Sequence, residues 1–245
     1  LGFDWDANDF LYFIAEVAER HSDDLDAWLG SLDVAPGGGE SFRVVESRVL
    51  AGLEALRVVF SAGAPVPSET LHAVAELAPN ATLHTPYGMT EVLPVADIEL
   101  QGIVAAEAAD PDGGVCVGRP VSGAQVRIVP FDFDPDELPD AVVDSAMGEI
   151  LVRAPWVSEG YHGLWATQRA ARPGAGEWHR SGDVGHVDAD GRLWVEGRAV
   201  HVIHTVDGPI TPVPVERTVE RALGVPRCAA VGVGPVGSQQ LVVVV

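Results

Sequence analysis

Two short apolar runs separated by one helical pattern constrain the fold of this chain more than any other feature. Residues 56–60 and 81–85 have the composition of buried strands, and a helical pattern of apolar positions opens at Pro67 between them. A strand–helix–strand unit places its two parallel strand ends on the same edge of a sheet. We therefore predict an α/β fold with a βαβ sheet portion and a ligand pocket at those strand ends.

The pattern changes after Glu91 to short strands separated by glycine and proline turns. Residues 117–120, 124–129 and 148–152 are spaced in this way. Such spacing indicates a small antiparallel barrel or sandwich, and we predict a small antiparallel β-barrel subdomain. Further on, a helix is expected from about Pro214, and we expect the fold there to be α+β.

Composition excludes several classes of protein. The 245 residues contain no apolar run near the roughly 20 residues that span a bilayer, and they do not open with a positively charged stretch followed by an apolar signal segment. The formal charge of −21 argues against nucleic acid as a partner, since that needs a cationic surface. Cys116 and Cys228 suggest neither a disulfide framework nor a zinc site, so a reducing cytoplasmic location is expected.

The stretch from Tyr87 to Glu91 carries the strongest chemical signal. Tyr87 offers a ring that can stack on a purine, Gly88 permits close backbone approach, and Met89 completes the stretch before Thr90, whose hydroxyl can donate to a phosphate. The Glu91 carboxylate is a hard oxygen ligand suited to Mg²⁺. The same residues also fit an ordinary turn with a capping residue, and their spacing alone does not decide between the two interpretations.

A second candidate lies at Asp183 and Arg198. Asp183 follows a glycine, and its two oxygens can accept both hydroxyls of a ribose. The alternatives are a turn-capping aspartate at Asp183 and a surface charge at Arg198.

Tyr87-Gly88-Met89-Thr90-Glu91 resembles the fifth core motif of the adenylate-forming enzymes, the superfamily of acyl-CoA synthetases, luciferases and peptide-synthetase adenylation domains. The resemblance extends roughly from Ala51 to Val245. Other pieces follow the family's order: Gly63-Ala64-Pro65, Val117 to Pro120, Gly148 to Val152, Ser181-Gly182-Asp183 and Gly197-Arg198.

The resemblance implies ATP and Mg²⁺ as cofactors and a small carboxylic acid as substrate, with pathway enzymes as possible partners. Thr90 and Glu91 would be catalytic, Glu91 would hold the metal, and His201 would lie at a hinge. The nucleotide would contact the following residues: Gly63, Ala64, Tyr87, Gly88, Met89, Thr90, Asp183 and Arg198.

The resemblance also predicts a domain organisation. Residues 1–49 form an unassigned helical segment with a helix near 9–20, and residues 50–197 form part of an AMP-binding large domain. Residues 198–245 are the hinge and the start of a mobile small domain, truncated before the family's catalytic lysine. On a strand, His201 and His204 would face opposite sides, which argues against a paired metal site.

Within the superfamily, the motif and several downstream residues look most like the β-lactone synthetases of long-chain olefin biosynthesis. Those residues are Leu93-Pro94-Val95, Ala154-Pro155-Trp156, Tyr161, Leu164 to Thr167, and Val206 to Pro209. This implies adenylation of a β-hydroxy fatty acid followed by ring closure. A fatty-acyl-CoA ligase or acyl-AMP ligase is the alternative.

A non-catalytic interaction module is a further alternative, because the family's phosphate-binding loop is not found in this chain. For the same reason, the chain alone is expected to bind nucleotide weakly at most.

Overall fold

A computed structural model describes residues 31, 33, 41–131, 133–142, 146–174 and 176–245. The helix expected near residues 9–20 lies outside this part of the chain. The chain divides into two compact units, one of residues 1–57 and 74–81 and the other of residues 58–73 and 82–245. The candidate site residues all belong to the second unit.

The described helices are α1 (Phe42–Glu54), α2 (Ser68–Leu77), α3 (Leu100–Ala109), α4 (Trp165–Ala171) and α5 (Pro212–Leu223). None of the helices in the described ranges combines the length and apolar character needed to cross a membrane. Two helix starts follow their sequence signals. Ser41 accepts a hydrogen bond from the Val44 amide at the start of α1, and Pro212 occupies the first turn of α5.

The first strands are β1 (Val58–Phe60), β2 (Thr82–His84), β3 (Tyr87–Met89), β4 (Val92–Asp97), β5 (Val115–Pro120), β6 (Gln125–Val129) and β7 (Gly148–Arg153). The remaining strands are β8 (His179–Val187), β9 (Leu193–Arg198), β10 (Ile203–Thr205), β11 (Gly208–Ile210), β12 (Ala229–Val233) and β13 (Gln240–Val244).

β1 and β2 form the parallel pair expected of a βαβ unit. Val59 lies opposite Leu83, and the Ser61 amide donates to the His84 carbonyl at 2.9 Å just beyond the end of β1. The parallel arrangement confirms the predicted pairing, but the prediction that residues 56–60 form a buried strand is wrong, because Val58 and Phe60 are exposed. The parallel arrangement also brings the turn after β1 and the segment after β2 to the same edge of the pair.

The largest sheet has seven strands in the order β3-β4-β5-β9-β8-β7-β6, and every pairing in it is antiparallel. The antiparallel prediction is confirmed, but the sheet is open, so the β-barrel expected from the sequence does not form. Closure would require β3 to pair with β6. β3 has only three residues, and the Ile128 carbonyl of β6 already accepts a hydrogen bond from the Val142 amide at 2.9 Å.

β7 is the most deeply buried strand of this sheet. Ile150 and Val152 belong to one apolar cluster, while Leu151, which points to the other face, packs with Val129 and Trp178 in a second cluster. All three β7 side chains are inaccessible to solvent. The sheet is therefore covered on both faces at this strand, and this packing supports the neighbouring strand β8.

The chain after β9 differs from its predicted course at one point. Residues Ala199–His201 form a 3-10 turn, so His201 is not on a strand and the argument that it faces away from His204 is wrong. His204 does lie on a strand, β10, which pairs with β11. The predicted helix is confirmed as α5, and Gly224 ends it in the left-handed conformation.

Candidate active site

Asp183 is the centre of the candidate site. It lies on β8 directly opposite Arg198 of β9, and Tyr87 begins β3. The Tyr87 hydroxyl donates to Asp183 Oδ2 at 2.6 Å, and Arg198 Nη1 donates to Asp183 Oδ1 at 2.7 Å. The structure therefore brings together three residues that the sequence predicted separately for nucleotide binding.

Ser181 fixes the orientation of Asp183. Its hydroxyl accepts the Asp183 amide hydrogen at 3.0 Å and donates to the Ile150 carbonyl at 2.8 Å. The Ser181 carbonyl accepts a further hydrogen bond from Arg198 at 3.3 Å. Through its hydroxyl, Ser181 thus ties Asp183 to the Ile150 carbonyl of β7.

A glycine is required between these two residues. Gly182 has φ of +73°, and a Cβ there would lie 2.9 Å from Arg198 Nη2. Any larger residue would be strained in this conformation and would displace the guanidinium from Asp183.

Asp183 is a buried charge, only 8% exposed, and its partner Arg198 lies at the surface. Burial and the nearby Asp183 carboxylate hold the pKa of Tyr87 well above its usual value. Tyr87 therefore remains protonated and acts as a donor. One neutral and one cationic donor thus stabilise the carboxylate, which satisfies the usual requirement for a buried charge.

Glu91 lies in the turn between β3 and β4 and has partners of its own. The Tyr161 hydroxyl donates to Glu91 Oε1 at 2.5 Å, and the Ser158 amide donates to the Glu91 carbonyl at 2.7 Å. The hydrogen bond from Tyr161 lowers the pKa of Glu91, which keeps the carboxylate ionised. Burial, and then the contact with Glu91, raises the pKa of Tyr161 to about 12.

The donor set at Glu91 suits a Mg²⁺ ion that is held partly by phosphate. The carboxylate is ionised and partly exposed, and no group of three or more possible metal-ligating side chains occurs among the described residues. Mg²⁺ is usually bound by one or two carboxylates together with substrate phosphates and water. The Glu91 carboxylate therefore suits a cation that is also held by the phosphates of a nucleotide.

Four of the remaining predicted residues are exposed and lie in three different turns. Gly63 and Ala64 are exposed in the turn after β1, Thr90 is exposed between β3 and β4, and His201 is exposed in the 3-10 turn. Within the described ranges, no hydrogen bond joins them to Asp183 or its partners.

Two residues of the motif pack against β4. Met89 pairs with Val92, and a Cβ on Gly88 would lie 2.5 Å from the Val92 carbonyl oxygen. The close approach predicted at Gly88 is therefore made, in this structure, by the chain's own backbone.

Tyr161 was selected from the sequence only as part of a resemblance, and its contact with Glu91 was missed. The two residues are 70 positions apart, and they meet because the chain between β7 and α4 passes over the β3–β4 turn. No local spacing or period carries that information. The only signal is a phenol in a loop.

Comparison with known proteins identifies the family. The sequence matches the AMP-binding enzyme family over residues 17–162. It is 38% identical over 204 residues to an olefin beta-lactone synthetase of Xanthomonas campestris pv. campestris, covering 78% of this chain and 36% of the relative. It is 32% identical over 165 residues to 4-coumarate–CoA ligase 1 of Glycine max, covering 67% of this chain and 53% of the relative.

The fold comparison agrees. The amide bond synthetase McbA of Marinactinospora thermotolerans superposes with a TM-score of 0.61 at 26% identity, covering 76% of this chain and 35% of McbA. The family match extends over more than half of the chain, and the residues at its centre, Tyr87 to Glu91, include two side chains of the candidate site. This chain belongs to the family of AMP-binding enzymes.

Proposed function

We propose that the full-length protein adenylates a carboxylic acid with ATP. The substrate carboxylate attacks the α-phosphorus, the bond to the β-phosphate oxygen breaks, and acyl-AMP and pyrophosphate result. The family match and the names of the relatives support this reaction class. The chain spans little more than a third of the olefin beta-lactone synthetase that it resembles, so the activity is proposed for the whole protein.

The observation that carries the proposal is the convergence of Tyr87 and Arg198 on Asp183. Each carboxylate oxygen has two lone pairs, so Asp183 can keep both partners and still accept the two ribose hydroxyls. Arg198 carries a positive charge at the exposed side of this group, where it can stabilise negative charge on the nucleotide.

Glu91 is the residue that would hold Mg²⁺. When bound, the ion stabilises negative charge on the reacting phosphates. Tyr87, Asp183 and Arg198 would meanwhile orient the nucleoside. Orientation of this kind contributes to catalysis because the reacting atoms are held near one another before the reaction begins.

For the second step we propose ring closure of a β-hydroxy acyl-AMP. The substrate's own hydroxyl oxygen attacks the acyl carbon, the bond from that carbon to the phosphate oxygen breaks, and AMP leaves as the hydroxyl proton is lost. The identity of 38% to an olefin beta-lactone synthetase favours this outcome. An intramolecular nucleophile needs no second substrate, so its advantage is one of proximity.

Thioester formation is the alternative second step. It is favoured by the 32% identity to 4-coumarate–CoA ligase 1. That match covers 53% of the relative, compared with 36% of the olefin beta-lactone synthetase. The full-length protein should be incubated with ATP, Mg²⁺, a β-hydroxy fatty acid and CoA, and its products identified by mass spectrometry. A β-lactone that forms equally without CoA supports ring closure, whereas an acyl-CoA product would establish the alternative.

The nucleotide site itself is tested by calorimetric titration with a non-hydrolysable acyl-AMP mimic. We expect the full-length protein to bind the mimic and Asp183→Ala to lose at least about tenfold in affinity, since it removes hydrogen bonds to a charged group. Ser68→Ala, which lies outside the site, should bind as the wild type does. If the folded wild type binds neither ATP nor the mimic, the protein is a non-catalytic member of its family.

A further inference from the structure

Residues 154–172, which run from the end of β7 to just past α4, are hydrogen-bonded to the β3–β4 hairpin and its turn. The Trp156 indole donates to the Pro94 carbonyl at 3.1 Å. The Ser158 amide donates to the Glu91 carbonyl at 2.7 Å, and the Tyr161 hydroxyl donates to Glu91 Oε1 at 2.5 Å. This segment therefore holds Glu91 by both its main chain and its side chain.

Tyr161 is itself held in place. Its amide donates to Gln168 Oε1 at 3.0 Å, which ties the residue to α4. At the other end of the segment, Arg172 donates to the Ser158 carbonyl and lies 3.3 Å from the Ser158 hydroxyl. Arg172 is only 8% exposed, so this end is anchored by a buried side chain. The phenol thus has a defined position from which to hold the carboxylate.

The contact restricts a side chain that would otherwise have several conformations. A glutamate has three rotatable side-chain bonds, and fixing a flexible side chain of this kind costs up to about 2 kcal/mol of conformational entropy. Tyr161 donates to Oε1 of Glu91. Because the two carboxylate oxygens are rigidly linked, this contact also restricts the position of Oε2. A carboxylate that is already oriented loses less freedom when it binds a ligand.

We propose that Tyr161 is a positioning residue for Glu91, orienting its carboxylate to hold the cation that accompanies the nucleotide phosphates. The inference rests on the proposed function. Tyr161 touches neither the nucleotide nor the reacting atoms in this proposal, and it acts only through Glu91.

The test measures cation binding directly rather than turnover. Mn²⁺ affinity of the full-length protein–ATP complex can be followed by electron paramagnetic resonance for the wild type, Tyr161→Phe, Glu91→Gln and the double variant. We expect Tyr161→Phe to weaken Mn²⁺ binding by about tenfold, the size typical of a hydrogen bond to a charged group. In the Glu91→Gln background the same substitution should have no further effect, because its target is gone.

Two variants of the same segment separate positioning from general stability. Trp156→Phe removes the bond to the Pro94 carbonyl but leaves both Glu91 contacts, and it should bind Mn²⁺ as the wild type does. Gln168→Ala loosens Tyr161 while keeping the phenol, and it should weaken binding by less than Tyr161→Phe does. Gln168→Ala also keeps the test decisive if Tyr161→Phe does not fold.

A second readout is the KM for ATP, measured at a Mn²⁺ concentration that saturates the cation site. It should not change in Tyr161→Phe, because Tyr161 affects the affinity for the cation and not the contacts with the nucleotide. Wild-type Mn²⁺ affinity in Tyr161→Phe, or a full additional loss in the double variant, would overturn the inference. If the wild type binds the acyl-AMP mimic but Tyr161→Phe has wild-type Mn²⁺ affinity, this inference alone is contradicted. Failure of the wild type to bind the mimic would contradict the proposed function and the inference with it.

Discussion

The backbone conformation of Gly182 and its lack of a side chain allow the Asp183–Arg198 ion pair to form. Its positive φ aligns Ser181 and Asp183 for their hydrogen bond, and its missing side chain leaves room for Arg198. Gly191 offers a matched comparison. It has a similar φ of +75°, but a Cβ there would meet nothing within 4 Å.

Gly182→Ala and Gly191→Ala should therefore differ in function but not in backbone strain. Each should lower the free energy of unfolding by about 1 kcal/mol, because alanine is strained at positive φ. Only Gly182→Ala should also weaken binding of the acyl-AMP mimic, since only there does the new methyl group displace Arg198. Urea unfolding and calorimetry measure the two effects. Equal mimic affinity in the two variants would contradict the role assigned to the Arg198 contact.

At this scale the sequence predicted which residues form the candidate site better than it predicted the contacts of Glu91. Tyr87, Asp183 and Arg198 were selected by side-chain chemistry together with a motif, and they do converge. Tyr161 could not be paired with Glu91, because a hydrogen bond across 70 positions depends on the path of a loop. Side-chain chemistry is visible in a sequence, whereas the partner that a side chain finds depends on the fold.

At the scale of elements, β7 determines the stability of the antiparallel sheet. Ile150 contributes to one apolar cluster and Leu151 to the other, and both are fully buried. The strand thus joins the two faces of the sheet. It also carries the Ile150 carbonyl that receives the Ser181 hydroxyl, so packing and the site meet at one residue.

Ile150→Ala should lower the free energy of unfolding by about 2 to 5 kcal/mol, through lost burial and an unfilled cavity. Val206→Ala is the control, since Val206 is 78% exposed and its truncation should have almost no effect. Chemical denaturation of both variants provides the comparison. A small loss for Ile150→Ala would mean that the sheet refills the space and is less rigidly packed than its burial indicates.

Helices and strands could be predicted from the sequence where their apolar residues recur at regular spacing. The parallel β1–β2 pair, α2 and α5 follow from the spacing of their apolar residues, and the strands after Glu91 follow from their turns. Closure of the sheet was not predictable. Closure depends on whether the two edge strands pair with each other. The alternation of apolar and polar side chains within one strand does not indicate which other strand it pairs with. The 3-10 turn at His201 was missed for a similar reason, because three residues are too few to show a period.

At the scale of the whole molecule, α5 is attached mainly by charged groups. Arg217 pairs with Glu107 at 2.6 Å and donates to the Gly114 carbonyl, while Thr218 and Arg221 both donate to Asp112. Pro212 is the helix's buried residue. Salt weakens exposed ion pairs such as Arg221–Asp112, so the attachment of α5 should be sensitive to ionic strength.

Acid should release α5 as well. Hydrogen bonds from Thr218, followed by those from Arg221, lower the pKa of Asp112. A carboxyl group whose folded pKa is depressed stabilises the folded state above its unfolded pKa and loses that contribution as the pH falls through the folded value. We expect amide protection of α5, corrected for intrinsic exchange, to be constant above about pH 5 and to fall below about pH 4.

Asp112→Asn should produce this loss of protection at neutral pH, and added salt should then have a smaller effect than in the wild type. Of the two ion pairs that α5 makes with the described residues, only Arg217–Glu107 then remains to be screened. Arg227→Ala, which removes an exposed positive charge outside the helix, serves as the control and should leave α5 protected. Hydrogen exchange followed by mass spectrometry resolves the helix from its neighbours. Unchanged protection in Asp112→Asn would show that apolar packing holds α5 instead.

The order of strands in the large sheet has a consequence for how the chain folds. Val115 of β5 pairs with Val195 of β9, about 80 positions further along, which makes this the costliest loop closure of the sheet. Hairpins such as β8–β9 and β3–β4 need only short closures and can form early. The β5–β9 pairing joins these local pieces, so we expect it to form late in the assembly of the sheet. Until it forms, β5 and β9 are unpaired edges, and the chain is then most exposed to association with other copies.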